Sequence, residues 1–306
     1  MNNMKKVLAV AGIGLAALSF NASAFHFGLD SVAGYVKDKV VEKTVDSAKD
    51  KMSNVASSGS EVRPSAEHCK SLMPSGYPTM AGDNNLVYLC HQGYVVGYNT
   101  QYKTPAWVAE LLTRENLDTK NATRNDNFRP DPALLRANAS ASASLSDYSG
   151  SSRVGQGYDR GHMAPAEDFR KFPDQMDESF YLSNMVPQNS NNNRGVWAAL
   201  EKNVRDWAQR YQVAEVVTGS IYYNGRSQGN LGNIAIPTHL YKVVYLPTKN
   251  EAMAFILPNA PVDKSALPQY AMSVSDAEKL TGMKFFPGVS DAVKAVKPAD
   301  LKIFNR

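Results

Sequence analysis

The chain has 306 residues, room for one large domain or two of about 100 to 200 residues each. With 43% hydrophobic and 20% charged residues and a mean hydropathy of −0.36, it is not disordered, collagen-like or a disulfide-stapled miniprotein. The formal net charge is +4, and Lys5 and Lys6 of the first segment supply two of those charges, so bulk charge by itself gives little support for nucleic-acid binding.

Residues 1–24 read as a signal peptide. Lys5 and Lys6 form a positive start, Val7 to Phe20 is an apolar run of 14 residues, and Ala22-Ser23-Ala24 offers the small residues that a signal peptidase accepts. The run falls short of the roughly 20 residues of a membrane span, so the pattern predicts cleavage after Ala24, no stable membrane span, and a periplasmic or secreted protein. From Asp30 to Val55, Val32, Val36, Val40, Val41, Val45, Met52 and Val55 recur near helical spacing among Lys and Asp/Glu, which predicts an amphipathic helix; Ser53 to Pro64 then forms a Ser-rich linker. Residues 25–64 thus precede a main domain at 65–306.

That domain mixes two periodicities. Leu86 to Tyr98, Ser179 to Ser183, Val213 to Ile221, Leu240 to Leu246 and Ala252 to Leu257 are rich in β-branched and aromatic residues and read as strands. Gly195 to Tyr211 and Val274 to Leu280 read as helices, and Ala137 to Gly157, dominated by Ala, Ser and Gly, as an exposed loop. In an oxidising compartment Cys69 and Cys90 form a disulfide by default; the alternative is a zinc site with His68 and His91. No internal repeat is visible.

Of the five histidines, His26, His68, His91, His162 and His239, none forms HExxH, and there is neither GxSxG nor a Walker A loop. The informative residues are Tyr158-Asp159-Arg160-Gly161-His162-Met163-Ala164-Pro165-Ala166, then Ser183-Asn184-Met185-Val186-Pro187-Gln188, then Asn193-Arg194-Gly195-Val196-Trp197-Ala198-Ala199-Leu200-Glu201. In this order and at these separations, DRGH, SNxxPQ and NxGxWxxLE resemble the DNA/RNA non-specific endonuclease family. The similarity extends from about Leu86 to Pro287. It implies an α+β fold with a central antiparallel β-sheet flanked by helices, and a ββα-metal active site.

The residue chemistry agrees. Phosphodiester hydrolysis needs an activated water and neutralisation of charge on the phosphoryl oxygens. His162 suits the general base, since imidazole offers a neutral form near pH 7. Resemblance makes Asn193 the direct metal ligand and Glu201 a ligand through water, with Mg²⁺ as the cofactor and Mn²⁺ as a substitute; a neutral amide oxygen suits a cation that keeps several waters. At about 100° per residue, Glu201 lies about 80° and Arg205 about 120° round the helix from Asn193, so all three can overlook one cleft. Glu201 and Arg205 would also suit a surface ion pair. Arg160 would contact the scissile phosphate, either Arg124 or Arg129 would be a further phosphate-facing cation, and Asn184 would support the site through hydrogen bonds. Asp159 reads as a structure-holding carboxylate rather than a ligand. The expected partners are DNA and RNA as substrates, with a homodimer and an inhibitor protein left open. The alternative reading is a non-catalytic nucleic-acid-binding protein on a nuclease scaffold.

Overall fold

The computed structural model describes residues 65–80, 85–149 and 157–300. The expected signal peptide, amphipathic helix and linker, residues 1–64, lie outside the described residues. Helix α1 (Ala66–Ser71) starts at Ser65, whose hydroxyl accepts from the His68 N–H at 3.0 Å. Strands β1 (Leu86–Cys90), β2 (Tyr94–Asn99) and β3 (Thr104–Thr113) follow, and then helix α2 (Pro132–Asn138). Next come β4 (Tyr158–His162), β5 (Met185–Asn189), helix α3 (Ala198–Tyr211), β6 (Val213–Ile221), β7 (His239–Leu246), β8 (Glu251–Pro258), β9 (Ala271–Met272) and helix α4 (Val274–Thr281).

Among the described residues, seven strands form one sheet in the order β9-β8-β7-β6-β3-β2-β1, each neighbouring pair antiparallel. Alternate residues of each strand feed opposite faces. On one face, Leu200, Val204 and Ala208 of α3 pack against Val108, Leu112, Val216, Leu240 and Val244. On the other, Met73, Val274, Ala277, Phe285 and Phe286 cover Trp107, Ala109, Val217, Tyr241 and Val243. This is the expected α+β architecture with a central antiparallel sheet flanked by helices. Among the described residues no helix is long and apolar enough to cross a membrane.

Burial on both faces explains where the sequence pattern misled. β3 lacks the apolar–polar alternation of a half-exposed strand, being buried over its first seven residues, and sequence periodicity gave no strand there. The single strand expected over Leu86 to Tyr98 is a hairpin, closed by the His91 N–H donating to the Tyr94 carbonyl at 2.9 Å. Residues 179–183, expected as a strand, end one helical turn and enter another; the Asn184 amide captures the Ser179 carbonyl at 2.9 Å, replacing a strand ladder, and the strand begins only at Met185. Of the expected loop Ala137 to Gly157, the part up to Ser149 holds helical turns instead, with Ala141, Ala143 and Tyr148 buried, and residues 150–156 lie outside the described residues. Gly232, in the turn packed against this segment, permits a close approach: a Cβ there would come within 2.6 Å of the Asp147 Cα.

Cys69 and Cys90 are joined, with Cα atoms 6.0 Å apart, tying α1 to the end of β1. The bond occupies both sulfurs and removes the zinc alternative. A bridge closing a segment of this length contributes about 3 kcal/mol in the chain-entropy model. Replacing both cysteines by Ser should lower the unfolding free energy by about that amount in a denaturant titration, and an unchanged midpoint would contradict a structural role for the bridge.

Candidate active site

β4 and β5 pair with each other apart from the main sheet, in register from Tyr158 opposite Asn189 to His162 opposite Met185. Gly161 permits this contact, because a Cβ there would lie 2.1 Å from Gln188 Oε1. The chain then turns through Ser190–Asn192 and a wide turn at Asn193–Trp197 before entering α3, which completes a ββα unit. Gly195, with φ −106° and ψ −106°, breaks helical geometry inside that turn. The helix therefore begins at Ala198 rather than Gly195. The angular relation among Asn193, Glu201 and Arg205 expected for an unbroken helix does not hold across this break.

The imidazole of His162 meets the rings of Phe128 and Phe180 edge-on, with centroids 5.7 and 5.1 Å away. The Arg160 guanidinium lies over Phe128 at 4.1 Å and that of Arg124 over Phe180 at 5.0 Å. Two cations thus flank one imidazole across two aromatic rings. Burial, followed by the charges of Arg124 and Arg160, pushes the His162 pKa down to about 3, so the ring is neutral at physiological pH. Its Nε2 is shut off from solvent and has no hydrogen-bond partner among the described residues.

Of the two upstream arginines, the geometry brings Arg124 rather than Arg129 beside His162. Arg129 lies over Tyr181 at 4.4 Å, donates to the Asn127 carbonyl at 2.9 Å, and pairs with the Asp177 carboxylate, which commits it to holding its own loop. Asn184 is fully buried. It accepts from the Ala164 N–H and donates to the Ala164 and Ser179 carbonyls, each at 2.9 Å, fixing the backbone just beyond His162.

Asp159, three residues before His162, accepts from Asn193 Nδ2 at 2.9 Å, from Ser190 Oγ at 2.9 Å, and from both arms of the Arg194 fork at 2.9 and 2.7 Å. Burial raises the Asp159 pKa, but the hydrogen bonds from Arg194, Asn193 and Ser190 outweigh it and hold the carboxyl below its usual range. With its amide nitrogen engaged there, Asn193 retains Oδ1 as an acceptor.

Glu201 lies on α3 near a set of charges between that helix and the sheet. Burial lifts its carboxyl to about 7; Lys242 and Arg205 oppose that rise and Asp168 adds to it. Arg205 makes its ion pair with Asp168, at 2.8 Å, and is about a fifth exposed. Glu110 and Lys242 are each 1% exposed, and Lys242 Nζ donates to Thr218 Oγ1 at 2.6 Å. Glu110, Asp168 and Lys242 were absent from the sequence-derived set. Lys242 carried a signal, as a lone cation within an apolar strand pattern, whereas Glu110 sits in the strand that periodicity missed.

Among the described residues, no three His, Cys, Asp or Glu side chains gather as a metal cage. What the site offers a cation is the Asn193 amide oxygen, its nitrogen held by Asp159, with Glu201 on the helix that follows. A sparse, all-oxygen donor set fits Mg²⁺, which binds through one or two protein oxygens and keeps its remaining waters.

Residues 73–292 match the model of the DNA/RNA non-specific endonuclease family. A mitochondrial nuclease EXOG of Xenopus laevis is 34% identical over 239 residues, covering 73% of this chain and 63% of the relative. Nuclease C1 of Cunninghamella echinulata is 36% identical over 236 residues, covering 71% and 88%. The chain therefore spans less than two thirds of the Xenopus relative. A solved EndoG–EndoGI complex, described as showing the mechanism of EndoG inhibition, superposes with a TM-score of 0.64 at 27% identity, over 76% of this chain and 96% of that one. Mitochondrial nucleases also recur among relatives from mouse and Saccharomyces cerevisiae, and they overturn the expected periplasmic or secreted location. The leader pattern misled because a basic start without acidic residues is shared by secretory and organellar addresses.

Because the folded protein keeps His162 neutral, the unfolded chain takes up a proton there between the ordinary pKa of about 6.5 and about 3 that the folded one excludes. This contribution to stability is present above about pH 6.5 and is lost as pH falls toward 3. Glu201, with its raised pKa, acts in the opposite direction. Denaturant unfolding at pH 7 and pH 4.5 should show a smaller loss on acidification for His162→Gln than for the wild type, and equal losses would contradict the buried, uncharged imidazole.

Proposed function

The chain belongs to the DNA/RNA non-specific endonuclease family, and from that membership we propose that it hydrolyses the phosphodiester bonds of DNA and RNA with little sequence preference. His162 is the general base, Asn193 the direct ligand of one Mg²⁺ with Mn²⁺ as a substitute, and Glu201 a ligand through water. The nuclease unit is taken as residues 65–306, and the mitochondrial relatives favour that compartment for it.

The observation that carries this reading is a neutral imidazole with Arg124 and Arg160 on either side. Two guanidiniums offer donors to the oxygens of one phosphate. The charge that repels a proton from His162 in the free protein is offset once a phosphate anion lies beside them. Substrate binding then strengthens the base at the moment it is needed.

In the reaction, His162 takes a proton from the attacking water. The water oxygen bonds to phosphorus as the bond to the 3′ oxygen breaks, leaving 5′-phosphate and 3′-hydroxyl ends. Arg160 and Arg124 hold the phosphoryl oxygens, and Asn184 keeps the backbone beyond His162 in place. Asp159 holds the Asn193 amide nitrogen, which would leave Oδ1 to hold a cation. A divalent cation bound there would neutralise charge developing on the phosphoryl and departing oxygens. None of these residues reads a base edge, so weak sequence preference and use of both sugars follow. The solved EndoG neighbour is held by an inhibitor, and an inhibitor protein covering this cleft is the corresponding partner here.

Purified protein should degrade supercoiled plasmid and single-stranded RNA with Mg²⁺ and fail with EDTA, while His162→Ala should lose about 10²- to 10⁴-fold in rate and remain folded. Salt-sensitive DNA binding without cleavage under any divalent metal would instead establish a non-catalytic binding protein.

A further inference from the structure

The β4–β5 hairpin shares no strand pairing with the seven-stranded sheet. Asn193 stands four residues past the hairpin, outside either sheet and two residues before the break at Gly195. Its position relative to the sheet and to α3 therefore depends on contacts other than a strand ladder. The end of β8 supplies them. Asn259, 2% exposed, accepts the Asn189 N–H on its Oδ1 at 2.7 Å and donates through Nδ2 to the Pro187 carbonyl at 2.9 Å and the Pro237 carbonyl at 3.0 Å. One amide thus joins β5 to the approach of β7.

A second amide makes the reciprocal contact. Asn192, fully buried and adjacent to Asn193, donates to the Pro258 and Ala260 carbonyls on either side of Asn259, at 3.0 and 3.2 Å, and accepts from Gln188 Nε2 at 3.0 Å. Every side-chain donor and acceptor atom of the two amides is used. A buried polar joint of this kind is rigid when complete and costly when broken, because each lost partner leaves a desolvated group behind.

We propose that Asn259 is a positioning residue for the metal ligand Asn193, an inference that rests on the one-cation reading above. It acts through Asn189 and Pro187 and does not touch substrate or cation. An amide is required at this position. Asn259→Asp would keep an acceptor for the Asn189 N–H but lose both donations and set a carboxylate against two carbonyls. Asn259→Leu would leave one N–H and two carbonyls unpartnered. Removing support from behind a metal ligand lowers metal affinity by about 10- to 100-fold.

The test is Mn²⁺ binding to the full chain without nucleic acid, read from the electron paramagnetic resonance of free Mn²⁺, for the wild type, Asn193→Ala, Asn259→Leu, Asn259→Asp and Asn192→Ala. The wild type should bind one Mn²⁺ and Asn193→Ala should lose it. Asn259→Leu and Asn259→Asp should bind about tenfold more weakly or worse, with near-ultraviolet dichroism preserved, and in cleavage assays kcat should fall while KM for DNA holds. If Asn259→Leu fails to fold, Asn259→Asp and Asn192→Ala carry the same expectation. Wild-type affinity in folded Asn259 variants, beside loss in Asn193→Ala, would overturn the positioning role and leave the metal reading standing. No binding by the wild type would overturn both.

Discussion

An imidazole that must stay uncharged between two guanidiniums is the constraint around which this site is built. Neutrality comes from burial and from the like charges of Arg124 and Arg160. Those cations are held near the ring without touching it through the faces of Phe128 and Phe180, which also meet His162 edge-on. A hydrogen-bonded carboxylate behind the imidazole would raise its pKa and favour the charged form. Apolar walls do the reverse and keep the ring neutral.

The same economy of charge governs the helix side. Beneath α3, Glu110, Asp168 and Glu201 stand against Arg205 and Lys242, and burial raises the pKa of all three acids. Isolated charges at this depth are unfavourable, and breaking a buried pair by removing one partner is strongly destabilising. The pairing of Arg205 with Asp168 makes that arginine part of the frame that holds α3 against the sheet, as well as a cation near the cleft. Asp159 has the corresponding place on the hairpin: one carboxylate gathers Ser190, Asn193 and Arg194 and so ties the first strand of the ββα unit to its turn.

Sequence pattern marked the candidate site residues more readily than it did parts of the scaffold. DRGH, the SNxxPQ segment and NxGxWxxLE named His162, Arg160, Asn184, Asn193 and Glu201, because a site that needs particular side chains at fixed separations leaves a local trace. Strands β6, β7 and β8 and helix α4 were also evident from periodicity. β3, the strand between β2 and β6, was not, since burial on both faces erases alternation. The contacts that decide between Arg124 and Arg129, the Arg205–Asp168 pair, and the Asn192 and Asn259 joints link residues up to about 70 apart and leave no local signature. The break at Gly195 was hidden for a different reason: an apolar period can continue through a turn whose backbone does not.

The proposed reaction requires His162 and the Asn193 amide oxygen, which belong to one ββα unit, to act on the same phosphate. Crystals of the protein grown with Mn²⁺ and examined for anomalous scattering test it directly. The account predicts one peak within coordination distance of Asn193 Oδ1. A peak held by other side chains, with Asn193 uncoordinated, would contradict it.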